Sequence, residues 1–211
     1  LRSLRFPLRS VAMTTRQTTN AKDSTVEQKK IVKKKSDSRK KLETGYILKS
    51  PSYEYTVECL LGAGGFGDVY RVSIKGEQKK RYALKTELNG TTKSSNRLKV
   101  EINVFEDIQK CASPIDKSHF VQMIDRGKSI GFKFYAMEIV GQSLFDLPMT
   151  GEKKGQKHTP STIMQIARQS LQAIEALHVV GYVHRDIKPA NFAVGTGTSD
   201  SKIFMLDFGI A

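Results

Sequence analysis

From Tyr53 onward apolar and polar positions alternate in short runs, whereas the stretch before it shows almost no apolar period. Residues 53–61 and Asp68–Ile74 read as two strands flanking a glycine-rich turn. Residues 81–85 read as a third, with Asn89-Gly90 turning the chain after it. Arg97–Lys110 places Leu98, Ile102, Phe105 and Ile108 at helical spacing. Residues 120–125 and 132–139 are strand-like, separated by a turn through Gly127 and Gly131. A loop with Gly141, Gly151 and Gly155 leads into a helix predicted over 160–180, with Thr159 as N-cap, Pro160 at its first position and Gly181 as its end. The stripe Ile163, Ile166, Ala167, Leu171, Ile174 and Leu177 predicts one buried face for that helix. Short strands around Phe192–Val194 and 202–206 flank a polar turn at 195–201. Five strands and a helix, a connector, then a helical part make an α+β chain of two lobes.

Composition changes this picture mainly at the N-terminus. Residues 1–50 carry 14 Lys/Arg against 4 Asp/Glu, so most of the net charge of +14 sits there. Rich in Ser, Thr and Lys, this stretch is predicted to be a disordered basic tail. Lys29-Lys30 through Lys40-Lys41 could contact polyanions or serve as a nuclear-localisation patch, or be a solvated linker. The remainder carries 21 basic against 17 acidic residues, too balanced for a sequence-specific nucleic-acid surface. Arg2, Arg5, Arg9 and Arg16 with no acid before Asp23 faintly resemble a mitochondrial targeting peptide; an over-extended translation with Met13 as the start is the plainer explanation. No run of 18 apolar residues exists, so no membrane span is expected. Cys59 and Cys111 form no ligand or disulfide pattern, and a reducing compartment, cytoplasm or nucleus, is expected.

Candidate chemistry begins at Gly62-Ala63-Gly64-Gly65-Phe66-Gly67-Asp68-Val69, a G-x-G-x-x-G-x-V run. Glycines let the backbone double back against phosphates where a Cβ would collide. Dinucleotide folds share the spacing, but they continue into a helix, whereas Val69-Tyr70-Arg71-Val72 continues as a strand. Phe66, at the tip, is suited to covering phosphates. Lys85 ends the apolar run Tyr82-Ala83-Leu84, and Glu101 is its expected partner; Glu106 lies about 140° further around the helix.

The densest signal is His184-Arg185-Asp186-Ile187-Lys188-Pro189-Ala190-Asn191, with Asp207-Phe208-Gly209 following. Asp186 is the candidate base for a substrate hydroxyl, and Lys188 balances charge on a moving phosphoryl group. Asn191 and Asp207 offer oxygen ligands to magnesium. Phe208 is expected to pack beneath the helix bearing Glu101, Gly209 to let the backbone turn, and His184 and Arg185 to be scaffold. In 134–141 the backbone of Glu138 and Val140 would read an adenine edge, Met137 would wall the ring, and Val69 and Ala83 would sandwich the base. The other histidines, His119, His158 and His178, have no zinc spacing, and Asn89-Gly90-Thr91 reads as a turn.

Together these motifs resemble the eukaryotic protein kinases over 53–211. Gly141-Gln142-Ser143-Leu144-Phe145-Asp146-Leu147 and Lys188-Pro189-Ala190-Asn191-Phe192 are similar to the casein kinase group, most of all its tau-tubulin kinase branch or a nematode-type relative. The resemblance implies a two-lobed kinase-like fold with a complete β-rich N-lobe (51–137), a hinge (138–141) and a partial helical C-lobe (142–211). It further implies ATP and Mg²⁺, serine/threonine specificity, and protein substrates that are acidic or already phosphorylated. Such a fold continues past Asp-Phe-Gly into an activation segment and several helices. The isolated 211 residues are therefore expected to be poorly stable and nearly inactive.

Overall fold

The computed structural model describes residues 41–64, 67–89, 96–113, 116–147 and 158–211. Ten named strands and helices run in the order β1 (Ile47–Lys49), β2 (Glu54–Ala63), β3 (Asp68–Ile74), β4 (Glu77–Leu88), α1 (Arg97–Lys110), β5 (Met123–Ser129), β6 (Phe132–Glu138), α2 (Pro160–Val179), β7 (Phe192–Val194) and β8 (Ile203–Met205). The first six strands form one antiparallel sheet ordered β1-β2-β3-β4-β6-β5, and β7 pairs with β8 in a separate ribbon. The architecture is two-lobed: a β-rich lobe carrying α1, and a smaller, partial helical lobe built on α2.

The middle of the sheet is covered on both faces, which is why Tyr82-Ala83-Leu84 of β4 and Phe134-Tyr135-Ala136-Met137 of β6 run apolar without alternating. Leu84, Phe134 and Ala136 pack with Tyr55, Tyr70 and Val72 on one face. Ala83, Tyr135 and Met137 point the other way, toward Val104, Phe105 and Ile108 of α1. Alternation of side chains along a strand makes the two sets complementary.

Several sequence expectations shift in detail. Strand β1 lies inside the stretch expected as tail, its Leu48 2% exposed and paired with Tyr55. The turn between β5 and β6 is at Ile130-Gly131, with Gly131 at φ +88°, while Gly127 lies within β5. The Phe134 ring covers Gly127, where a Cβ would come within 2.8 Å of it. The strand expected at 120–125 starts later, at Met123, because Lys117–His119 form a 3-10 turn. Gly90 of the expected Asn89-Gly90 turn and the glycines at 151 and 155 lie outside the described residues.

Helix α2 begins as expected. Thr159 accepts the Thr162 N–H, Pro160 is at the first turn, and Gly181 follows the helix at φ +96°. Its buried face is rotated from the expected stripe: Gln169, Ala173, Ala176 and Leu177 are buried, whereas Ile163 and Leu171 are 55% and 66% exposed. Gln169 explains the rotation. Its Nε2 donates to the Ser201 carbonyl (3.0 Å) and its Oε1 accepts from the Ile203 N–H (3.0 Å), so this polar side chain must face β8. Ala173 and Ala176 then let the ribbon approach the helix closely.

Candidate functional site

A cavity of about 660 Å³ opens between the sheet and the 186–209 region, its wall including Gly62, Gly64, Gly67, Val69, Lys85, Glu101, Lys188, Asn191 and Asp207. These come from five separate stretches of chain. Lys85 joins them: its Nζ lies 2.6 Å from Glu101 Oε1 and 3.1 Å from Asp207 Oδ1. Glu106 is engaged elsewhere, with Arg126 and Lys110. Glu101 is 1% exposed and also accepts a 2.5 Å hydrogen bond from the Tyr135 hydroxyl on Oε2.

Burial works to lower the Lys85 ammonium, but the Glu101 and Asp207 carboxylates outweigh it and hold it above the ordinary lysine range. Burial raises the Glu101 carboxyl, against the opposing pull of Lys85. Burial, then the Glu101 charge, pushes Tyr135 well above the ordinary tyrosine range. Lys85 therefore stays cationic and Tyr135 a donor, an arrangement able to hold an anion.

The 184–191 segment is held by its own hydrogen bonds. Asp186 N–H can only donate, so the His184 Nδ1 at 3.3 Å is the acceptor; Nε2 then carries the proton and donates to the Leu206 carbonyl at 3.0 Å. His184 is thus scaffold, a neutral ring 1% exposed that ties the segment to the strand leading into Asp207. The Leu206 N–H returns a bond to the Asn191 carbonyl (2.9 Å). Asp186 Oδ2 accepts from Lys188 Nζ (2.7 Å) and Asn191 Nδ2 (3.1 Å), which together lower its pKa, Lys188 contributing most. Because Asn191 Nδ2 also donates to the Asp186 carbonyl (2.8 Å), its amide oxygen is left as the free acceptor. The side chain of Asp207 is half-exposed. This pair of oxygens fits magnesium in company with phosphates, since the ion takes one or two protein ligands and completes its octahedron with others. No cluster of three or more His, Cys, Asp or Glu capable of holding a metal occurs among the described residues.

Among the described residues two non-glycine positions have positive φ, Arg185 (62°) and Asp207 (65°), and both lie at this site. Gly209 sits in a turn as expected, closed by the Ala211 N–H on the Phe208 carbonyl at 3.0 Å, while the positive φ falls on Asp207 just before it. Gly209 serves close approach: a Cβ there would come within 3.1 Å of Glu101 Oε1 and 3.2 Å of Arg97 Cβ. Phe208 is fully buried, its ring 5.4 Å from both Phe105 of α1 and His184.

At the other end of the site, Ala83 and Met137 are cross-strand partners, and Val69 pairs with Lys85. Val69 and Val140 both pack against the core containing Ala83 and Met137. Ala83, Met137, Glu138 and Val140 are not on the cavity wall, nor is Asp186. The Glu138 N–H already donates to the Gln122 carbonyl (3.0 Å), so that group is not available to an adenine edge, a correction to its expected use. Gly65 and Phe66 lie outside the described residues. Sequence reasoning missed Tyr135, Glu87 and Asp146. Glu87 had a signal, standing two residues past Lys85 on the same strand face; Tyr135 had none, because only the β4–β6 register places it opposite Lys85.

A model of the protein kinase domain matches residues 55–211. The chain belongs to the protein kinase domain family. Among similar proteins, this kinase domain is 41% identical over 177 residues to the Caenorhabditis elegans serine/threonine-protein kinase ZK507.3, covering 81% of this chain and 46% of the relative. It is 33% identical over 158 residues to a probable casein kinase I homolog of Encephalitozoon cuniculi, covering 75% of this chain and 46% of that one. The chain thus spans about half the length of the curated relatives it matches. The crystal structure of the BubR1 kinase domain shares the fold with a TM-score of 0.66 at 21% identity, over 81% of this chain and 51% of that one. No helix among the described residues is long and apolar enough to cross a membrane.

Proposed function

We propose that this kinase domain binds ATP with magnesium in the cavity around Lys85, and that nucleotide binding is the activity of the chain itself. One observation carries the reading: a partly buried lysine is bridged to carboxylates from both lobes, Glu101 and Asp207, on the wall of a glycine-lined cavity. In this reading Lys85 and the glycine turn hold the polyphosphate, while 138–141 is the hinge at the adenine end. Asn191 and Asp207 ligate magnesium, which when bound offsets charge on the phosphates.

Phosphoryl transfer to serine and threonine hydroxyls of proteins is the second reading, favoured by the arrangement around Asp186. Its carboxylate, kept ionised by Lys188 and Asn191, can accept the hydroxyl proton, while the Lys188 ammonium would offset charge on the transferring group. Membership of the casein kinase group, acidic or phosphorylated protein substrates, a polyanion-binding tail and a cytoplasmic or nuclear address belong to the same proposal. Support for the group comes from the Gly-x-Ser-Leu-x-Asp-Leu run and from the Encephalitozoon relative.

Titrating ATP into the chain with and without magnesium, then repeating with Asp207→Asn, tests binding. Affinity that rises with magnesium in the parent and no longer does so in the variant is the expected result. Equal, magnesium-independent affinities would overturn it. Incubation with labelled ATP, magnesium and acidic peptides separates the second reading from the first.

A further inference from the structure

Lys85 and Tyr135 are direct cross-strand partners on β4 and β6, and both side chains reach Glu101, one to each carboxylate oxygen. Two residues along β4, on the same face, Glu87 reaches α1 one turn earlier: its Oε2 accepts the Leu98 N–H at 2.6 Å. The helix's own first turn offers no carboxylate to meet its positive pole. Asn96, at the N-cap position, makes no side-chain cap bond, and the first turn contains no acid. Glu87 is 6% exposed, and its Oε1 has no hydrogen-bond partner among the described residues. A buried carboxylate in that position is costly unless the helix end compensates for it.

We propose that Tyr135 and Glu87 are positioning residues that hold α1 inward and keep Glu101 on Lys85. Strand β4 grips the helix at Leu98 and Glu101, three residues apart and so on one helical face. Tyr135 locks the free oxygen of Glu101, which would otherwise be left to rotate away. All of these groups belong to the chain itself, so the clamp acts with or without bound nucleotide. A site held ready in this way loses no affinity to an outward population of α1.

The proposal rests on the ATP-binding reading for its consequence, but its test does not. The rate at which an amine-reactive reagent labels Lys85, mapped by mass spectrometry in the 211-residue protein without nucleotide, reports how firmly Nζ is held, with Glu101 the shorter of its two contacts. Tyr135→Phe should raise that rate several-fold, because a displaced Glu101 carboxylate no longer engages and covers the Lys85 Nζ. Tyr55→Phe is the matched control: it removes another buried hydroxyl, bonded to Asp125 at 2.9 Å, on the opposite face of the sheet. It should lower stability without changing Lys85 labelling. Glu87→Ala should raise labelling and speed amide exchange in the first turn of α1, whereas Glu87→Gln, which still accepts the Leu98 N–H, should restore both.

Labelling rates for Tyr135→Phe and Glu87→Ala that match the parent would overturn the proposal. An equal rise in Tyr55→Phe would do the same by exposing a general loosening. In the companion titration, Tyr135→Phe should weaken magnesium-dependent ATP binding about tenfold if the inward population falls to about a tenth. A parent that binds no ATP while the labelling pattern holds would refute the nucleotide reading and leave the clamp standing.

Discussion

The Nε2 of His184 lies 3.0 Å from the Leu206 carbonyl, so one buried imidazole couples the segment bearing Asp186 to the residue that precedes Asp207. The proposed base and a proposed magnesium ligand are thereby set relative to each other by a buried side chain outside the proposed chemistry. His184→Phe keeps the bulk and the Phe208 contact but loses two hydrogen bonds, to Leu206 and Asp186. Leaving the Leu206 carbonyl and the Asp186 N–H without their partner should destabilise the fold by about 2 kcal/mol. Chemical denaturation measures this, and a midpoint equal to the parent's would show that the imidazole is dispensable.

Lys85→Met should cost stability as well as nucleotide affinity. Removing the ammonium leaves Glu101, with a side chain 2% exposed, charged and unpaired except for Tyr135. Breaking a buried pair in this way costs about 3 kcal/mol or more. The double variant Lys85→Met with Glu101→Leu should recover part of the loss in a denaturation curve while leaving ATP binding absent.

Asp186 supplies the pH test. Its pKa is depressed by hydrogen bonds from Lys188 and Asn191, so the ionised form is favoured in the folded protein. The resulting stabilisation is present above the ordinary aspartate value and is lost as pH falls through the lower folded value. A carboxyl-carbon NMR titration should place the Asp186 midpoint below that of an unpaired aspartate, and Lys188→Met should move it upward. An unmoved midpoint would mean that the 2.7 Å contact does not govern the carboxylate.

Two glycines of the turn should respond differently to a methyl group. At Gly67 a Cβ would stand 2.1 Å from the Thr86 carbonyl oxygen, a backbone atom next to Lys85 that cannot step aside. At Gly62 nothing lies within 4 Å. Gly67→Ala should lower the unfolding free energy by about 1–3 kcal/mol, whereas Gly62→Ala should leave it within about 0.5 kcal/mol.

On α2, Leu171→Lys should be nearly neutral in this chain because Leu171 is 66% exposed. Gln169→Leu should cost about 2 kcal/mol by stranding the Ile203 N–H and the Ser201 carbonyl. Thermal melts of the two variants would reverse that order if the apolar stripe drawn from sequence were the buried face.

Order along the chain was legible wherever local chemistry decides it. The bounds of β3 and α1, the Thr159-Pro160 start and Gly181 end of α2, and the Lys85–Glu101 pairing all follow from periodicity, caps and helical angle. These depend on neighbours a few residues away, which a sequence displays. The existence of β1, the rotated face of α2, the place of Gly127, the close approach at Gly209, and the grip of Tyr135 and Glu87 on α1 were decided by the tertiary structure. Each depends on a partner brought close only by folding: a strand to pair with, a ribbon edge needing an amide, a ring lying over a bare Cα. Alternation and helical period tell which residues share a face, but not what that face will meet.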